Sequence, residues 1–173
     1  MTLVLATNSS KRRRLLAFLI TAWIVIVLDQ VTKYSVIASL RPGVVKPLLG
    51  DLVRLVLVYN DSAAFSIGFG ITWIFTIVSL AAAFAILWFA PKLETTGWSI
   101  TGGLALGGVV GNLIDRLTRA PGFGQGQVVD FISIPFNFPI FNIADVAIVS
   151  VAVVVVLRIM RGTSIGKSPK SRA

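Results

Sequence analysis

Four stretches of this chain are long and apolar enough to cross a lipid bilayer, and that constrains the fold more than any other feature. A helix rises about 1.5 Å per residue, so roughly 20 apolar residues span the hydrocarbon core. Residues 69–90 contain no charged residue and end at Pro91-Lys92. The stretch from Leu15 to Leu28 is too short alone, so a first span over about 15–38 must carry Asp29 and Lys33 within it. A third span, about 98–117, holds Asn112, Asp115 and Arg116 near its end, and a fourth, about 140–160, holds Asp145 near its start. Only 13% of residues are charged and 55% are hydrophobic, whereas soluble domains are nearer a quarter charged. The expected fold is an α-helical integral membrane protein with four transmembrane helices.

Charge sets the expected orientation. The formal net charge is +9. Beside apolar runs, such a balance reads as basic flanks of membrane spans rather than a nucleic-acid surface. With both termini cytoplasmic, Lys11 to Arg14, Lys92, Arg158, Arg161, Lys167, Lys170 and Arg172 lie inside. Arg41, Lys46, Arg54, Arg116 and Arg119 then lie outside, five cations against ten. This bias favours that topology. It places the polar ends of the first, third and fourth spans together at the outer face. The basic start of the first span resembles a secretory signal. No small-x-small cleavage site follows it, and it reads as a retained helix.

Two outer segments remain. In the first, Pro42-Gly43 and Gly50-Asp51 are turn signals, and Leu52 to Tyr59 reads as a strand rich in β-branched residues. In the second, a Gly-rich stretch precedes Gln127 to Ile132, another short strand, which Pro135 and Pro139 terminate. A small extracytoplasmic β-structured cradle is expected. Residues 1–161 form one membrane-embedded domain, and 162–173 read as a disordered basic cytoplasmic tail. Gly103, Gly107 and Gly111, at four-residue spacing, allow helix backbones to approach closely in lipid.

The sequence has neither His nor Cys. Imidazole bases, thiol nucleophiles, disulfides and the usual zinc ligands are therefore absent. No metal and no cofactor is expected. Ionisable groups at membrane depth are expensive and mark function. Asp29 and Lys33 share a helix face and can pair, as can Asn112 and Asp115 with their neighbours. Asp130 and Asp145 have no obvious local cation. For Asp145 a local role is available: Asn142 as N-cap with Asp145 in the first turn. For Asp130 it is a solvated strand-end position. Topology brings both to the outer surface, where two carboxylates at one site can split their pKa values and hydrolyse a peptide bond between them.

Five motifs then resemble one family, bacterial lipoprotein signal peptidase (signal peptidase II). Asp29-Gln30-Val31-Thr32-Lys33 is similar to its D-x-x-T-K. Asn60-Asp61-Ser62-Ala63-Ala64-Phe65-Ser66 resembles N-x-G-A-A-F-S. Gly107 to Arg116 resembles G-G-x-x-G-N-x-x-D-R. Val128 to Ile132 matches V-V-D-F-I, and Phe141 to Asp145 matches F-N-x-A-D. The resemblance implies a membrane aspartic endopeptidase with Asp130 and Asp145 as the catalytic pair. Asp29, Lys33, Asn60, Ala64, Asn112, Asp115, Arg116, Asn142 and Ala144 would line or support the site. It implies diacylated prolipoproteins as substrates, cut before the lipidated Cys, and contact with membrane lipid. It also implies a multi-pass bacterial inner-membrane location with the site at the outer face, and inhibition by globomycin-type cyclic peptides. A monomer is expected. Ser62 departs from the family's usual Gly, a residue that permits backbone geometry closed to most others. Three rival readings are a Ser-Lys protease using Lys33 and Ser66, a transporter or proton relay using intramembrane carboxylates, and a non-enzymatic membrane assembly factor using the glycine face of the third span.

Overall fold

A computed structural model describes residues 2–61 and 72–162. Its elements in chain order are α1 (Thr2–Ser39), β1 (Val45–Leu49), β2 (Val53–Asn60), α2 (Thr72–Phe89), α3 (Thr96–Thr118), β3 (Val128–Ser133) and α4 (Ile143–Met160). Four helices are long and apolar enough to cross a membrane, the apolar part of α1 being Ser10–Ser39. The three strands form one antiparallel sheet in the order β1-β2-β3. This is the four-span helical membrane architecture with a small sheet that the sequence leads one to expect.

Three details differ from the sequence reading. First, α1 starts at Thr2 and not near Leu15. Lys and Arg are good helix formers, so the basic run Lys11 to Arg14 continues the helix beyond its apolar part. Second, α4 begins at Ile143 rather than Ile140, because Phe141 is held in a bridge to Ile132 and Asn142 caps the helix. Third, β1 was not anticipated. It occupies the interval between two turns whose glycines, Gly43 (φ 77°) and Gly50 (φ 53°), adopt left-handed backbone. The expected start of the second span at 69–71, together with Ser62, Ala64 and Ser66, lies outside the described residues, as does the tail beyond Gly162.

Helix α3 is central and packs against all three other helices. Phe18 and Ala22 of α1, Ala83 of α2 and Leu106 of α3 form one buried cluster. By contrast, Phe84 and Trp88 of α2 point outward and stay exposed, a surface suited to lipid and not to water. The glycine spacing has a direct packing cause. A Cβ on Gly103 would stand 2.5 Å from the Phe18 carbonyl oxygen, one on Gly107 2.6 Å from Val25 Cβ, and one on Gly111 2.7 Å from an Asp29 carboxylate oxygen. Three successive turns of α3 thus lie against α1 with no room for a methyl group. Gly107→Ala is expected to destabilise the protein by about 1–3 kcal/mol through overpacking. A thermal unfolding scan in detergent checks this, and an unchanged transition would contradict the close α1–α3 contact.

The sheet is fixed to the helices by a second cluster, Val36 of α1 with Leu57, Val129 and Phe131. Side chains alternate across a strand, so burying Val129 and Phe131 on one face of β3 turns Asp130 to the other.

Candidate active site

That alternation sets the first carboxylate. Asp130 leaves the sheet opposite the Val129–Phe131 core and is only 4% exposed. Antiparallel pairing aligns Asn60 with Val128, which carries the Asn60 amide to Asp130. Asn60 Nδ2 donates to Asp130 Oδ2 at 2.8 Å.

The second carboxylate is set by a helix cap. Asn142 Oδ1 accepts from the Asp145 backbone N–H at 3.0 Å, and Asp145 Oδ2 accepts from the Asn142 N–H at 3.0 Å. This reciprocal pair is a capping box. It satisfies two otherwise orphaned donors and places a negative group at the positive helix end. The cap does not consume Asp145. Its Oδ1 accepts from Asn112 Nδ2 at 2.9 Å, and the residue lines a cavity of about 1000 Å³ together with Asp130, Asn60, Asn112 and Arg116.

Asn142 joins the two acids. Its side-chain amide donates to Asp130 Oδ1 at 2.7 Å and to Asn112 Oδ1 at 3.1 Å, while its backbone N–H holds Asp145. It is fully buried, so one residue fixes both carboxylates at the cavity wall. The Asn112 amide has only one workable orientation. Lys33 Nζ donates to Asn112 Oδ1 at 2.9 Å, and an ammonium group can only donate. The carbonyl end of Asn112 therefore faces Lys33, and its NH₂ faces Asp145.

Behind this front lies a charge cluster. Lys33 pairs with Asp29 and Asp115, each at 2.8 Å, and all three side chains are fully buried. Arg119 Nε pairs with Asp115 at 2.6 Å. Each supporting acid also grips a backbone N–H. Asp29 Oδ1 accepts from Ala144 at 3.0 Å, and Asp115 Oδ2 accepts from Val129 at 3.2 Å. Ala144 and Val129 are the residues immediately before Asp145 and Asp130. The cluster thereby anchors the two segments that carry the carboxylates. Ala144 is fully buried against α3, its Cβ 3.2 Å from where a Cβ on Gly111 would stand.

Neither Asp130 nor Asp145 belongs to these ion pairs. Burial in a poorly hydrated wall pushes the Asp130 carboxyl up to about 6, and the nearby Asp145 charge adds to the rise. The Asn60 and Asn142 hydrogen bonds and the Lys33 charge oppose it. A carboxyl raised above its ordinary 3.8 binds its proton more tightly in the folded protein. Its contribution to stability is therefore greatest below about pH 4 and declines as pH rises towards 6. That difference corresponds to at most about 3 kcal/mol. Asp130→Asn, neutral at every pH, should lose this slope between pH 4 and pH 7. Thermal transitions of both proteins at pH 4 and pH 7 measure this.

The remaining site residues fall as follows. Arg116 is buried, lines the cavity, lies 5.3 Å over the Phe75 ring, and interacts electrostatically with Asp130, Asp115 and Asp145. Arg119 turns to Asp115 and stacks over Tyr34 at 5.1 Å. Ala64 lies outside the described residues. The sequence reading missed Gln30, whose amide donates to the Gly111 carbonyl at 3.0 Å and contacts Asp29. It also missed Asp61, which lines the cavity. Both adjoin residues singled out above, and that adjacency was the available signal.

Comparison with known proteins places the chain in a family. The family described as signal peptidase (SPase) II matches residues 21–161. A lipoprotein signal peptidase of Leifsonia xyli subsp. xyli is 47% identical over 143 residues, which cover 83% of this chain and 66% of the relative. Those of Rhodococcus jostii and Mycobacterium tuberculosis strain H37Rv are 42% and 41% identical, over 87% and 84% of this chain and 75% and 71% of theirs. This chain thus spans about two thirds to three quarters of the length of these relatives. A solved structure described as a bacterial membrane enzyme superposes with a TM-score of 0.77 at 27% identity, covering 90% of this chain and 94% of that one. With four membrane-crossing helices and a family match across nearly all of them, this chain belongs to the signal peptidase II family.

Proposed function

We propose that the chain removes the signal peptide from diacylglyceryl-modified prolipoproteins in the bacterial cytoplasmic membrane, cutting before the lipidated Cys with Asp130 and Asp145 as the catalytic pair. The observation that carries this reading is Asn142, which fastens both carboxylates to the wall of one cavity. The reaction needs no other nucleophile. Water adds to the scissile carbonyl carbon and gives its proton to an ionised carboxylate, while the protonated partner donates to the carbonyl oxygen. Collapse of the tetrahedral intermediate breaks the C–N bond as the carboxyl that took water's proton passes it to the leaving nitrogen, and the other carboxylate takes a proton back from the intermediate's hydroxyl. This leaves a carboxylate on the signal peptide and a free amine on the lipidated Cys.

The cavity also suits the substrate. Its walls include Val58, Ile134, Phe138, Ile140, Ile148 and Val149, which match apolar signal-peptide side chains and acyl chains. A substrate held in the membrane by lipid and a signal helix arrives with its scissile bond already confined, and such confinement lowers the entropic part of the barrier. The positive-inside bias supports inner termini and an outer-face site. The enzyme is read as a monomer.

The test uses the purified protein in lipid vesicles with a diacylated prolipoprotein. Mass spectrometry should find a product that starts at the lipidated Cys, and the unlipidated precursor should be cut far more slowly. Loss of cleavage on Ser66→Ala would instead favour the Ser-Lys route. Absence of cleavage by folded wild-type protein would favour a proton-relay protein.

A further inference from the structure

The turn between β3 and α4 is built in a way that the chemistry above does not use. Phe136 and Asn137 are consecutive non-glycine residues with left-handed backbone, φ 68° and 52°. Asn tolerates this region, but a bulky residue such as Phe rarely adopts it. A turn facing water would hold Gly or Asn there at little steric cost. Pro135 and Pro139 flank the pair, and their rings restrict the backbone at both ends. Both phenylalanines are exposed: Phe138 meets Phe141 edge-on at 5.9 Å and borders the cavity while half its surface stays open, and Phe136 is 100% exposed.

The surroundings of Phe136 say what covers it. No charged residue occurs from Phe131 to Ala144. The turn leads directly into α4, whose Val146 and Val149 are also exposed. Asn137, Phe138 and Ile140 line the same cavity as Val146, Ile148 and Val149. The turn is therefore continuous with the apolar strip that α4 presents along its membrane-spanning length. An aromatic ring at the head of such a strip fits the boundary between headgroups and acyl chains.

We propose that the Phe136–Phe138 turn is a membrane anchor: Phe136 inserts among the acyl chains of the leaflet nearest the cavity and holds the cavity mouth at the bilayer surface. This rests on the chain spanning the membrane and not on the cleavage reaction, so either reading can fail without the other.

The sequence contains no cysteine, so a single introduced thiol reports one position. Phe136→Cys is labelled with a nitroxide and reconstituted in phosphatidylcholine–phosphatidylglycerol vesicles without substrate, which leaves the bilayer as the source of acyl chains. Phe84→Cys, on the outward face of α2, serves as the lipid reference. Power saturation should show oxygen accessibility several-fold above that of Ni(II)-EDDA at position 136, as at 84. An excess of Ni(II)-EDDA accessibility at 136 places the turn in water and overturns the proposal. Low accessibility to both reagents means that protein covers the turn, and overturns it as well. If labelled Phe136→Cys lacks the wild type's thermal transition, Asn137→Cys gives the same readout one position along.

Discussion

Asp130→Asn and Asp145→Asn should each reduce prolipoprotein cleavage by at least about 10²–10⁴-fold, the usual worth of a positioned acid or base, while leaving the protein folded. The expectation of intact folding comes from the contacts. Among the described residues Asp130 has no ion pair and accepts one amide hydrogen bond on each oxygen. An Asn keeps the shape and one of these bonds. The loss of the other, about 1 kcal/mol, is offset by no longer burying an ionised group, and the buried Arg116 keeps Asp115 and Asp145. Asp145 sits in a capping box, and Asn is also accepted in a first helical turn. Its replacement should remove about 1 kcal/mol of cap stability and little more. Activity and stability are therefore expected to separate. Purified variants with near-wild-type thermal transitions and no lipidated-Cys product would support the pair. Substantial cleavage by either folded variant would sink the assignment of that carboxylate.

Lys33→Met should behave in the opposite way, losing stability first and activity as a consequence. Lys33 neutralises Asp29 and Asp115, and the three side chains are fully buried. Removing one partner from a buried ion cluster leaves uncompensated charge and costs about 3–5 kcal/mol. The loss would propagate to the site by a definite path. Asp29 and Asp115 grip the N–H groups of Ala144 and Val129, and Lys33 itself orients Asn112. A Lys33→Met protein should melt well below wild type in detergent. Lys33→Arg, which keeps the charge but not the single-point geometry, should fall between. If Lys33→Met melts like wild type yet is inactive, Lys33 acts in the chemistry itself and the Ser-Lys reading returns.

Much of this was legible in the sequence, for reasons that are local. A long apolar run needs no knowledge of its neighbours, and it reveals the spanning helices, although the first reaches spanning length only by carrying Asp29 and Lys33. Period-two alternation in Val128 to Ile132 fixes the face of Asp130 once one side is buried. The Asn142–Asp145 spacing is a helix-start signature within a single turn. The Asp29–Lys33 contact follows from 3.6 residues per turn. The glycine spacing on α3 announces close approach, though not the identity of the helix that approaches.

What the sequence could not supply depends on partners far apart in the chain. Lys33 has a second acid, Asp115, which spacing does not reveal because it arrives on another helix. β1 is too short and too exposed to signal itself, and forms because β2 offers a free edge. The sequence therefore determined the membrane-spanning elements and the residues with unusual chemistry, since both follow from short-range sterics and transfer free energy. Only the tertiary structure decided which buried charges neutralise one another and which two carboxylates stay outside that cluster. Burial makes an unpaired charge so unfavourable that packing, and not local spacing, brings Lys33 its second acid.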